Sequence, residues 1–276
     1  MRRRRKRGAA TEFPIDLSTH GVVGADVRRY AEEKIARVGR LAPRPILFAR
    51  AKLTEEANPA VERRAVAEAS LDVEGHVVRA HVAAHEMRAA VDLLEERLRR
   101  RLEELSEHIE ARRQESGTPL PGEWRHGDLP TARPDYYPRP VEERELVSHK
   151  TFADGSQTPE EAALDMRLLD FDFYLFTNIA SGEDNVIYWR PEGGLGWTQT
   201  TPGADRPDGY ALELHPDPAP PSAMEIDQAM QRLDVSGEPF IFFVNSQSGR
   251  GNVLYRRYDG HYGLITPADH ETAVRG

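Results

Sequence analysis

The chain carries an internal duplication, and that constrains its architecture before any single residue is weighed. SGRGNVLYRRYDGHYGLITP (Ser248 to Pro267) repeats SGEDNVIYWRPEGGLGWTQT (Ser181 to Thr200) at a spacing of 67 positions. Ser181/Ser248, Gly182/Gly249, Asn185/Asn252, Val186/Val253, Tyr188/Tyr255, Arg190/Arg257, Glu192/Asp259, Gly193/Gly260 and Gly196/Gly263 recur in register. The match reaches back to Phe173/Phe240 and Phe176/Phe243. Before that it is expected to slip by three residues, pairing Met166 with Met230 and Leu169 with Leu233.

Each repeat reads as a small α+β unit: a short helix (Glu160–Leu169; Met224–Leu233), a strand (Phe173–Asn178; Phe240–Asn245), a Ser-Gly turn, a second strand (Asn185–Arg190; Asn252–Tyr258) and a last strand after Gly193 or Gly260. A unit of about 45 residues with no disulfide is marginal alone. FYLF and FIFF are also too apolar for a sheet wetted on both faces. By strand parity Phe173, Leu175, Phe240 and Phe242 face one way, and Tyr174, Phe176, Ile241 and Phe243 the other. The repeats are therefore expected to pair, with each other or with a second copy. The candidate pairing residues are Phe173, Leu175, Phe176, Tyr188, Arg190, Phe240, Phe242, Phe243, Tyr255 and Arg257. Arg190 and Arg257 are candidates to bridge to acidic side chains in the pair, and exposure to solvent suits them nearly as well.

The expected segments are a basic arm at 1–11, a first domain at 12–113, a proline-rich linker at 114–148, a first repeat at 149–201, a second linker at 202–221 and a second repeat at 222–276. The first domain orders its elements β-α-β-β-β-α. Glu12–Ser18 alternates Phe13, Ile15 and Leu17. Gly24–Arg40 reads as a helix, Ile46–Thr54, Arg64–Val73 and His76–Ala84 as strands, and Glu74-Gly75 as a tight turn. In the long helix at Glu86–Arg112, Met87, Val91, Leu94, Leu98, Leu102 (or Arg101), Leu105 and Ile109 form one apolar stripe. The fold class is thus α+β: a four-stranded sheet with two helices on one face, then two small repeats that pair.

The net charge of -9 is unevenly spread. Residues 1–113 hold 24 Lys+Arg against 19 Asp+Glu, and the remainder 13 against 27. A polyanion would therefore be met by the front of the chain. MRRRRKR begins like a signal peptide, but GAATEFPIDLS brings no apolar stretch behind it, so a disordered cationic arm is expected. Cysteine is absent, which excludes disulfides, thiolate catalysis and Cys-based zinc sites and fits a reducing cytoplasm. No run approaches the roughly 18 apolar residues of a membrane span. His76 and His81 have opposite strand parity and His85 sits at a strand–helix junction, so no metal site is expected. With no phosphate loop or nucleophile elbow either, neither cofactor, small-molecule substrate nor enzymatic activity is expected.

EMRAAVDLLEERLRRRL (Glu86–Leu102) resembles the signature helix of the ribosome hibernation promoting factors, also called ribosome-associated inhibitors. The β-α-β-β-β-α order agrees, and NVLYRRYDGHYGLITP is very similar to the C-terminal domain of the long-form members. NVIYWRPEGGLGWTQT is a weaker copy. The chain departs from the family at Arg88, where Tyr is usual, and in its additional repeat. The resemblance implies a cytoplasmic translation inhibitor. Its first domain would sit on the 30S subunit of the 70S ribosome, in the channel for mRNA and tRNA, against 16S rRNA. Ordinary long forms homodimerise through the C-terminal domain and join ribosomes as 100S disomes. Pairing of two repeats within one chain would instead hold 70S monosomes.

Ribosomal RNA is met through phosphates, 2′-OH groups and shape, which calls for Arg and Lys on rigid elements. The candidate rRNA-binding set is Arg28, Arg29, Lys34, Arg37 and Arg40 on the first helix, with Arg88, Arg97, Arg99, Arg100 and Arg101 on the long helix. The spacings Glu96 to Arg100 and Glu33 to Arg37 also suit i,i+4 pairs on a solvated face.

Overall fold

The computed structural model describes residues 13–57, 63–114, 139–152, 156–204, 212–217, 219–257 and 259–267. The expected basic arm and most of the first linker lie outside them. The described residues form two compact units: one holds those up to 114 with Arg167–Asp170, the other those from 139 to Met166 and from Phe171 to Pro267.

In the first unit, β1 (Ile15–His20), α1 (Ala25–Gly39), β2 (Ile46–Glu55), β3 (Ala65–Val73), β4 (His76–Ala84) and α2 (Met87–Gln114) follow the expected order. The sheet runs β1-β2-β3-β4, parallel between β1 and β2 and antiparallel elsewhere. A helical crossover joins the parallel strands β1 and β2, and a tight turn at Glu74-Gly75 joins the antiparallel strands β3 and β4. The β3–β4 turn places Glu74 at φ 34° and Gly75 at φ 95°, a pair of left-handed residues that glycine makes accessible.

Burial alternates along β3, where Ala65, Ala67, Ala69, Leu71 and Val73 are buried. Ala49 and Ala51 on β2 and Ala80 and Ala84 on β4 are buried as well. Small side chains on the sheet leave room for the large ones of α2, where Leu94, Leu98, Leu102 and Leu105 are fully buried. Large against small is how facing layers reach interior density.

The second unit contains two five-stranded sheets. The first repeat gives β5 (Leu146–Phe152), β6 (Ser156–Gln157), α3 (Pro159–Leu168), β7 (Phe173–Asn178), β8 (Asp184–Trp189) and β9 (Leu195–Gln199). The second gives β10 (Leu214–Pro216), β11 (Ala223–Met224), α4 (Ile226–Ser236), β12 (Phe240–Asn245), β13 (Gly251–Arg256) and β14 (Tyr262–Pro267). Leu214–Pro216, within the segment expected to be the second linker, therefore form a strand of the fold.

The strand orders are β10-β9-β8-β7-β6 and β11-β12-β13-β14-β5. Each repeat thus delivers its opening strand to the edge of the other's sheet. The exchange is reciprocal and in register: Ser148 pairs with Gly263, and His215, 67 positions on, pairs with Gly196, the counterpart of Gly263. Neither sheet completes itself from its own repeat, which joins the two by backbone hydrogen bonds as well as by side chains.

The three-residue slip before Phe173 is not observed. β6 pairs Ser156 with Thr177, and β11 pairs Ala223 with Val244, all offset by 67. The helices begin at Pro159 and Ile226, again 67 apart. The true counterpart of Met166 is Leu233, and both are fully buried. A Met and a Leu fill similar space, so identity was a poor guide to register where packing volume was a good one.

Candidate functional site

On the first unit, α1 and α2 lie side by side and present a mixed-charge face. Lys34 donates to Asp92 at 2.8 Å and to Glu95, while the Tyr30 hydroxyl donates to Asp92 at 2.6 Å. Hydrogen bonds from Lys34 and then Tyr30 hold the Asp92 carboxyl below the usual carboxylate range. The reciprocal bonds to Asp92 and Glu95 raise the Lys34 ammonium. Arg88 pairs with Asp26 at 2.7 Å and lies 5.1 Å over the Tyr30 ring. That hydrogen bond lowers the Asp26 carboxyl.

The other candidates fall around this network. Arg37 reaches across to Glu95 at 3.6 Å, while Glu33 is taken by Arg29 at 4.0 Å, so the Glu33–Arg37 spacing is not used. Arg100 pairs with Glu96 as its spacing suggests, and Arg99 pairs with Glu103 at 2.7 Å. Arg28 donates to the Leu17 carbonyl at 3.3 Å, and Arg97 to the His81 carbonyl at 3.4 Å. Arg40 is exposed just past the end of α1. Arg101 is the correction. It is buried and donates to the Arg79 carbonyl of β4, because it sits beside the apolar stripe and points toward the sheet. It belongs to the packing of the unit and not to its outer face. Exposed ion pairs such as Arg99–Glu103 contribute little to stability, so their arginines can be released to another anion at small cost.

In the second unit, the two sheets meet through a shared apolar layer. Leu175, Val186 and Val253 are its buried centre, with Phe173, Tyr188, Phe240 and Phe242 packed against them. Phe173 and Phe240 have ring centroids 4.5 Å apart. Phe173 meets Tyr255 at 5.7 Å, and Phe240 meets Tyr188 edge-on at 5.6 Å. Phe173, Leu175, Phe240 and Phe242 are the alternate residues that strand parity assigned to one face.

Phe176 and Phe243 are corrected by the same parity. Phe176 packs with Ala162, Met166, Ile187 and Trp197, and Phe243 with Ala229, Leu233 and Leu254. Each lies under the helix of its own repeat. Arg190 pairs with Glu192, and Arg257 with Asp259 at 2.8 Å, two residues along in the same turn, while the Arg190 charge also acts on Asp217 of the second repeat.

The duplicated turns reproduce one hydrogen-bond set. Gly182 donates to Asn178 and Gly249 to Asn245, both at 2.8 Å, at φ 72° and 71°. Where the copies diverge, the bonds diverge. Trp197 donates to Asn185 Oδ1 at 2.7 Å. Leu264 stands at the counterpart of Trp197, and the Asn252 Oδ1 is left buried without a hydrogen-bond partner.

Sequence reasoning missed the polar contacts between the repeats, among them Tyr188 to Asp217, Arg144 to Asp234 at 2.5 Å and one centred on Asp184. Arg250 donates to Asp184 through Nε at 2.8 Å and Nη2 at 2.9 Å, and the Gly251 N–H donates to the same carboxylate at 2.8 Å. The signal was present in the duplication: at 67 positions, Glu183 becomes Arg250 and Asp184 becomes Gly251.

Among the described residues, no group of His, Asp and Glu is placed to hold a metal ion. Among them, too, no helix is long and apolar enough to cross a membrane.

Comparisons with known proteins now bear on both units. The family described as Sigma 54 modulation protein / S30EA ribosomal protein matches residues 17–110. The family described as Sigma 54 modulation/S30EA ribosomal protein C terminus matches twice, at 141–196 and 217–264. A dormancy associated translation inhibitor of Mycobacterium tuberculosis is 36% identical over 121 residues, which are 40% of this chain; the chain spans only 43% of that relative's length. A ribosome hibernation promotion factor of Deinococcus radiodurans is 31% identical over 178 residues, covering 62% of this chain and 89% of that one. The crystal structure of the N-terminal domain of Thermus thermophilus Protein Y covers 33% of this chain and 98% of that chain, at 23% identity and a TM-score of 0.28. With both units matched in order and the Deinococcus relative covered almost end to end, this chain belongs to the ribosome hibernation promotion factor family, in a long form whose C-terminal segment occurs twice.

Proposed function

We propose that this chain is a cytoplasmic translation inhibitor that stores ribosomes as idle 70S monosomes. Its first unit docks in the mRNA and tRNA channel of the 30S subunit, with exposed arginines of α1 and α2 against 16S rRNA phosphates. It acts by steric exclusion and electrostatic docking, with no reaction catalysed. Phosphate contacts of this kind release counterions, so binding is expected to weaken steeply with salt.

The observation that carries the monosome reading is the layer between the repeats. The apolar face that a second molecule would need is occupied by the other repeat of the same chain, around Phe173 and Phe240 at 4.5 Å. Tethering keeps the partner repeat at an effective concentration of about a millimolar, which favours closure over association with another molecule.

A sucrose gradient of 70S ribosomes with the purified full-length protein, blotted for the protein, tests this. Co-migration with the 70S peak and no faster species is expected. A 100S peak would replace the monosome reading with ordinary ribosome dimerisation, and protein left at the top would remove the ribosome as partner.

A further inference from the structure

The two repeats share a backbone and differ at a point where they meet. Asp184 is buried, with its side chain 3% exposed. It accepts from the Arg250 guanidinium and the Gly251 N–H of the second repeat, and from the Thr177 hydroxyl of its own at 3.1 Å. Gly251 is the counterpart of Asp184, so here a position meets itself. That is the property of a residue on the axis of a twofold pair. The space is filled: a Cβ on Gly251 would lie 2.8 Å from the Asp184 Cβ and 2.7 Å from the Phe242 ring.

We infer that Asp184, Arg250 and Gly251 make the pairing directional, so that the first repeat accepts the second and each rejects its own kind. The inference rests on the reading that the repeats pair within one chain. Its consequence is that a second copy can join only by exchanging unlike repeats, never by pairing first with first or second with second.

Consider the symmetric alternatives. Two first repeats would set Asp184 against Asp184, with Glu183 where Arg250 now stands. Four carboxylates would gather at a buried point, and the two Asp Cβ atoms would crowd as a Cβ on Gly251 would. Buried charge without a counter-charge is strongly unfavourable. Two second repeats would set Gly251 against Gly251, so the Gly251 N–H and the Arg250 guanidinium would lose the Asp184 carboxylate they share. The mixed pair alone supplies acid, base and space together. Specificity built from a repulsive element as well as an attractive one is effective against near-identical competitors. Unlike tethering, it opposes like pairs equally at any protein concentration.

The test uses the full-length chain carrying either of two tags, co-expressed, captured through one tag and probed for the other, with light scattering for mass. Wild type is expected to be monomeric with no cross-capture. Asp184→Gly makes the two positions alike and removes the repulsion, and cross-captured protein is expected to rise about tenfold or more, which corresponds to about 1.4 kcal/mol of lost preference. Arg250→Gln keeps every backbone group and the Asp184 side chain, and is expected to shift the same way by a smaller factor. It decides the matter if Asp184→Gly loses its cooperative thermal transition. A monomeric wild type whose folded variants also stay monomeric overturns the directional contact and leaves intramolecular pairing standing. A dimeric wild type overturns the pairing itself.

Discussion

Phe173 and Phe240 lie with ring centroids 4.5 Å apart, and each is the other's counterpart across the duplication. Their flanking contacts, to Tyr255 and Tyr188, are counterparts as well. The aromatic layer is therefore close to twofold symmetric although it lies within one chain.

Phe173→Ala and Phe240→Ala should then destabilise the second unit by similar amounts, about 3 kcal/mol each. The double variant should lose less than the sum, with a coupling of about 1 kcal/mol. Denaturant unfolding followed through tryptophan fluorescence measures this. Strongly unequal losses would count against the symmetric packing.

Gly196 and Gly263 face Tyr188 and Tyr255 across neighbouring strands. A Cβ there would lie 2.1 Å and 2.3 Å from the tyrosine rings. Gly196→Ala and Gly263→Ala should each cost about 1–3 kcal/mol through overpacking. Adding Tyr188→Ala to the first, or Tyr255→Ala to the second, should remove the extra cost of the alanine; if it does not, the ring is not what the Cβ strikes.

Asp92 gives the first unit an acid-sensitive contact. Its carboxyl is lowered in the folded state by Lys34 and Tyr30, while the unfolded value is about 3.9. Its stabilisation is thus complete above that ordinary value and is lost as pH falls through the depressed folded value. Because the site is half exposed, the contribution is at most about 1 kcal/mol. Asp92→Asn should lower the melting temperature near neutrality, and the gap from wild type should narrow in acid below about pH 4. A gap that widens in acid would reverse the sign assigned here.

Two kinds of arginine should separate on the ribosome. Arg29→Ala, Arg40→Ala and Arg99→Ala remove exposed cations, and each should weaken binding and flatten the salt dependence by about one unit of log–log slope. Arg101→Ala should instead destabilise the first unit by about 3 kcal/mol, through loss of its buried ion pair with Asp170 at 2.6 Å and its bond to the Arg79 carbonyl. Its salt slope should stay close to wild type. Filter binding at several ionic strengths, beside thermal melts, distinguishes the two.

The sequence by itself determined the elements and the faces they bury. Period-two alternation placed Phe173 and Phe176 on opposite sides of β7, and the apolar stripe of α2 named its buried leucines, because both patterns depend only on local backbone geometry. The duplication told that two like units would meet. Tertiary structure alone decided which edge receives β5 and β10, since strand exchange depends on where chain ends lie in space and leaves no periodicity behind. It also decided the partners of charged side chains. Arg101 turned inward and Arg190 closed on Glu192, because a long side chain reaches many acceptors and packing selects among them. The meeting of Asp184 with Arg250 and Gly251 was of the same kind: its residues were visible as a divergence between the copies, but only their convergence on one axis made that divergence a contact.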